Sequence, residues 1–265
     1  MTGSLEAVKR LRRTRLIFAL TPGRSGSKLL THLMAGLFDV QAEHEASPRL
    51  NFVMRAAQAA PESARWWLFG EKLPAIAERL DGRPYADISH LYCKGFVEPL
   101  LQMRLKPDFI ILTRPAREVA SSMLAVGSIP ERTAAGRLVL VGPSDPGVVA
   151  PEGWRDWNDY QLCFWYVREI ERRQRHYQTV LTKAGCKTIR VALSDLTDIR
   201  RVAPLARFVT RKPNFRIDPD KFRDIVSVNR NPRSAINSKD PKSELPADLT
   251  EAENAVDRML AAIEA

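Results

Sequence analysis

The stretch Arg15-Leu-Ile-Phe-Ala-Leu-Thr-Pro-Gly-Arg-Ser-Gly-Ser-Lys28 decides how this chain is read. Leu16 to Leu20 is a short apolar run with the character of a buried strand. After Lys28, the residues Leu29, Leu30, Leu33, Met34 and Leu37 recur at helical spacing. A loop carrying two glycines, Gly23 and Gly26, joins strand to helix. Glycines let a backbone curl closely around an anion, and the free N–H groups of the helix start then point at it, reinforced by the helix dipole. Arg24 and Lys28 add side-chain charge. The segment is an expected oxyanion cradle.

Outward from that loop, apolar runs alternate with helical segments. Strands are expected at Phe38–His44, His90–Phe96, Asp108–Thr113 and Lys187–Leu193, and Pro115 can open a helix bearing Val119, Ala120 and Met123. The alternation predicts an α/β fold: three layers, α/β/α, around a mostly parallel sheet. Residues 46–89 read as a long, partly helical insertion holding Trp66-Trp67. Residues 126–153 are rich in Gly and Pro and read as a substrate lid. Thr250-x-x-Glu253 predicts a capping box for a C-terminal helix over about 249–264. Its stripe of Leu249, Ala252, Val256, Met259, Leu260 and Ile263 is expected to pack on the body. One domain over residues 1–265 accommodates all of this, and a homodimer is left open.

The formal charge is +10, which suggests an anionic partner. The arginines are dispersed and no RNA-binding motif is visible, so nucleic acid is not expected. Cys93, Cys163 and Cys186 are odd in number and form no CxxC pair. That speaks against a disulfide framework or a zinc site and predicts a cytoplasmic protein without metal. The apolar run Leu16–Leu20 is too short for a signal-peptide core, and no transmembrane segment is expected.

The loop departs from a nucleoside triphosphatase loop in two ways. Ser27 separates Gly26 from Lys28, so the GxxxxGK[ST] spacing is absent, and Leu29 stands where a magnesium-binding hydroxyl would be. It resembles instead the 5′-phosphosulfate loop of sulfotransferases, which use 3′-phosphoadenosine 5′-phosphosulfate (PAPS). A second segment, Ile111-Leu-Thr-Arg-Pro-Ala-Arg-Glu-Val-Ala-Ser-Ser122, resembles the same family's 3′-phosphate segment, an arginine at a strand end followed eight residues later by a serine. The resemblance implies a fold like that of P-loop nucleoside triphosphate hydrolases. It also implies Arg24, Ser25, Gly26, Ser27 and Lys28 around the 5′-phosphate, with Arg114 and Ser122 on the 3′-phosphate and Arg230 returning to it from the C-terminal region. A guanidinium can clamp a phosphate bidentately, and a hydroxyl adds one donor.

The base is less direct. Cys93-Lys94-Gly95-Phe96 stands where cytosolic family members carry Lys-Thr-His, so Lys94 matches but Phe96 cannot accept a proton. Glu45, twenty-one residues beyond Arg24, is similar in place to the glutamate base of tyrosylprotein-type sulfotransferases. Glu45 is therefore the expected base, with His44 and Glu43 behind it and Arg24, Lys28 and Lys94 stabilising the bridging oxygen. Leu193 replaces the tyrosine of the family's Tyr-Glu-Asp-Leu segment, leaving adenine recognition open. The expected acceptor is a hydroxyl compound: a sugar, a glycolipid or a small metabolite. The competing readings are a small-metabolite kinase using ATP–Mg²⁺ and a basic nucleotide- or RNA-binding protein without catalysis.

Overall fold

A computed structural model describes residues 2–228 and 244–264. Five strands, β1 (Leu16–Leu20), β2 (Gln41–His44), β3 (Tyr85–Ile88), β4 (Asp108–Thr113) and β5 (Thr188–Ala192), form one sheet in the order β2-β3-β1-β4-β5. Every pairing is parallel. Parallel strands require crossovers, and helices supply them, so both sheet faces are covered; all five residues of β1 are buried. The result is the three-layer α/β/α arrangement that the alternation predicts.

Because all five strands run one way, their carboxyl ends share an edge. Leu20 lies beside Ile111 and His44 beside Ile88 in register. From β1 the chain turns toward β2, whereas from β4 it turns toward β5. The edge between β1 and β4 is therefore where the winding reverses, the place at which open α/β sheets bind ligands.

Two strand expectations need correction. His90–Phe96 is a turn, and the third strand is Tyr85–Ile88, inside the segment read as an insertion. The apolar content of Leu91, Tyr92, Cys93 and Phe96 reflects burial of a compact turn rather than extended backbone. Gly95, at φ 90°, lets that turn close. The second strand begins at Gln41, because Phe38 still bonds back to Met34 at the helix end and Asp39 adopts φ 54°. The remainder of 46–84 is mostly helical: Met54–Ala59, then Glu62–Trp67, a π-helical turn Leu68–Lys72, and Leu73–Arg79.

The chain divides into two compact units. One runs to Arg114 and resumes at Gln174; the other takes Pro115–Arg173 and the C-terminal helix. The first holds the sheet. In the second, residues 126–153 carry a helix, Ala134–Val139, capped by Thr133, whose hydroxyl accepts from Gly136 N. A Cβ at Gly136 would lie 1.8 Å from the Ile129 carbonyl, so only glycine fits the close pass there. Trp165 is fully buried and its indole donates to the Val149 carbonyl at 2.8 Å. The C-terminal helix spans Leu249–Glu264 with Val256 and Ala252 buried. Its cap differs from the expected box: Asp248 accepts from Glu251 N at 2.9 Å. Thr250 and Glu253 turn instead to Arg117, at 3.0 and 2.7 Å. A carboxylate beside a guanidinium gains more from that pair than from reaching back to its own helix start.

Candidate anion and base site

The loop after β1 is shaped by three residues with positive φ. Gly23 has φ 86°, Arg24 φ 54° and Gly26 φ 92°, so the backbone turns inward repeatedly before the helix Ser27–Leu37 begins. The fold tolerates a left-handed arginine, at a cost of order 1 kcal/mol or more, only where its surroundings fix it. Here they do: Arg114, the first residue after β4, donates Nη1 to the Arg24 carbonyl at 2.9 Å. Gly26 is closely covered, since a Cβ there would meet Leu193 Cδ1 at 2.4 Å. Leu193 thus covers the loop glycine.

Within the loop, Ser25 is fully buried and its hydroxyl donates to the Gly23 carbonyl at 2.8 Å, so this side chain braces the turn. Thr21 is also fully buried, and its Oγ1 is one of three buried side-chain polar atoms, among the described residues, with no hydrogen-bond partner. A buried, unsatisfied hydroxyl at the root of such a glycine loop is a group that gains from a ligand. Lys28 is exposed and Arg24 half-buried. Below the loop, the Gln174 amide donates to the carbonyls of Leu20 and Leu112 at 2.8 and 3.3 Å, satisfying the strand ends of β1 and β4 as they part.

On the β2–β3 side, Ser27 Oγ lies 2.9 Å from His44 Nε2, tying the helix start to the end of β2. Burial, reinforced by Lys28 and Arg49 and opposed by Glu45 and Asp87, lowers the His44 pKa below its ordinary value. Glu45 follows in a left-handed conformation, φ 52°, with its amide donating to the Ile88 carbonyl at 3.3 Å and its carboxylate partly exposed. Ala46 is pinned next: Asp87 Oδ1 accepts from its amide at 3.0 Å, while Lys72 pairs with Asp87 at 2.8 Å and Tyr92 donates to it at 3.0 Å. Lys72 and Asp87 are both buried, so this ion pair fixes the backbone immediately after Glu45.

Lys94 is fully buried, and its ammonium lies 2.9 Å from His90 Nδ1. His90 Nε2 in turn lies 3.5 Å from Glu45 Oε1. The His90 ring also rests beside the loop after β1, 3.5 Å from where a Cβ of Gly23 would stand. Sequence reasoning passed over His90, Asp87, Lys72 and Gln174. His90 opens a turn whose apolar residues read as a strand, and a charged or polar residue within a strand or helix reads as solvent-facing.

Of the expected residues, the fold gathers Arg24, Ser25, Gly26, Ser27, Lys28, Arg114, His44, Glu45 and Lys94 at the carboxyl edge of one sheet. Glu43 lies within β2 and pairs with Arg79 at 3.2 Å. Ser122 is buried on the helix Ala116–Ala125 of the second unit. Arg230 lies outside the described residues. Among the described residues no cluster of three or more His, Cys, Asp or Glu is placed to hold a metal ion, and no helix is long and apolar enough to cross a membrane. No protein-family model matches this chain, and no curated protein matches it.

Proposed function

We propose that this protein is a sulfotransferase that takes the sulfonate group from PAPS and delivers it to a hydroxyl acceptor. The observation that carries the reading is the joining of the two segments expected to grip the donor, distant in sequence, through the Arg114–Arg24 bond at the β1/β4 edge, with Glu45 after β2 on the same edge of the sheet. The chain's own groups suit the donor's charge: two left-handed glycines, an unpartnered Thr21 hydroxyl, and the cations Arg24, Lys28 and Arg114.

When bound, the donor supplies an activated sulfonate whose S–O bond to the 5′-phosphate breaks, the electron pair remaining on the phosphate. Glu45 takes the proton from the acceptor hydroxyl as its oxygen bonds to sulfur. Arg24 and Lys28 hold the phosphate end and offset its growing charge. Lys94 acts on that charge only at one remove, because its ammonium is engaged with His90. The three buried free thiols support a cytoplasmic setting.

Titration calorimetry with 3′-phosphoadenosine 5′-phosphate, with and without magnesium, tests the reading. Metal-independent binding, with no response to ATP, is the expected result. A preference for ATP–Mg²⁺ would favour the kinase, and strongly salt-dependent RNA binding the non-enzymatic alternative. Acceptors are then screened with radiolabelled donor.

A further inference from the structure

We infer that His90 is the positioning residue of the candidate base, holding Glu45 in register with the anion loop through one fixed imidazole tautomer. The inference rests on the reading of Glu45 as base, but its geometry stands without it. An ammonium can only donate, so the 2.9 Å contact from Lys94 makes His90 Nδ1 the acceptor. The ring proton of a neutral His90 is then on Nε2, the nitrogen facing Glu45 Oε1 at 3.5 Å. That separation is longer than a closed hydrogen bond, as is common before a substrate tightens a site. The ring also lies beside Gly23, whose Cβ position would be in van der Waals contact with it at 3.5 Å. One ring therefore touches the loop, the carboxylate and a buried cation.

The ionic surroundings favour a neutral ring. Burial comes first, then Lys94 on the same turn and His44 from β2, all disfavouring the imidazolium; Glu45 from the end of β2 is the anion facing it. A neutral ring turns an N–H toward Glu45 at 3.5 Å rather than a full countercharge.

The test begins on the ligand-free protein by ¹⁵N–¹H correlation of the imidazole nitrogens, which is tractable because the chain has four histidines. The expected His90 signature is a neutral Nε2–H ring from pH 6 to 8, with the Nε2 shift altered by Glu45→Gln. An Nδ1–H ring, free titration near the ordinary histidine value, or an Nε2 shift indifferent to Glu45→Gln would overturn the assignment. Turnover gives the second readout. His90→Leu should lower kcat by about tenfold and move its acidic limb to higher pH, while His90→Gln, which keeps an N–H for Glu45, restores both in large part. Nucleotide affinity should change by less than about threefold in either variant. Equal losses in the Leu and Gln variants would reduce His90 to packing. Absence of nucleotide binding in the unmodified protein would instead remove the transfer reading alone, with the tautomer still deciding His90.

Discussion

Arg114 and Arg24, ninety positions apart, are joined by a 2.9 Å bond from a guanidinium to a main-chain carbonyl, so the residue just after β4 shapes the loop that follows β1. Arg114 therefore holds Arg24 in its left-handed conformation, and in the proposed site it also supplies charge to the nucleotide. Arg114→Ala should weaken binding of 3′-phosphoadenosine 5′-phosphate by about 10- to 100-fold, the scale of a lost hydrogen bond to a charged group. Arg114→Lys should recover only part, because a point charge cannot reproduce the planar fork. Calorimetry decides, and unchanged affinity in the alanine variant would discard the assignment.

Glu45→Gln removes the proton acceptor while keeping shape and polarity. Turnover should fall by about 10²–10⁴-fold, the range for a general base, with nucleotide affinity nearly unchanged. Turnover equal to that of the parent protein would take Glu45 out of the role.

The buried pair Lys72–Asp87 anchors the Ala46 amide beside the candidate base. Lys72→Met strands a buried carboxylate and should cost about 3–5 kcal/mol in a urea denaturation series. Lys72→Met combined with Asp87→Asn should cost less than the single change, since no uncompensated charge remains. A single variant as stable as the parent would show that the pair is dispensable.

Both His44 and His90 have pKa values lowered from the ordinary 6.5, chiefly by burial. Below that value the unfolded chain binds protons that the folded chain refuses, so unfolding is favoured as pH falls. Stability is thus fully present above about pH 6.5 and declines as the pH drops toward the lowered folded values. Denaturation midpoints between pH 5 and 8 measure the slope, and His44→Gln should flatten it. An unaltered slope would place the acid sensitivity elsewhere.

Much of the framework was legible in advance. Asp108–Thr113 matches its strand to the residue because six consecutive apolar-rich positions buried on both faces leave no other reading. The loop from Thr21 to Lys28 was legible because glycines between a strand and a helix have a narrow range of uses. His90–Phe96 misled because burial, not extension, made it apolar, and Asp87 hid in β3 because its charge is answered by Lys72 from a distant π-helical turn.

The sequence alone determined the alternation of strand and helix, the parallel sheet and the glycine-bearing loop between β1 and the helix after it, since these follow from local periodicity and glycine placement. Tertiary structure decided which side chains meet. Lys94 reached His90, His90 faced Glu45, and Arg114 braced Arg24 only once the parallel sheet had brought four strand ends to one edge. Spacing along a chain fixes the direction of a side chain, whereas the distance between two of them depends on every crossover between.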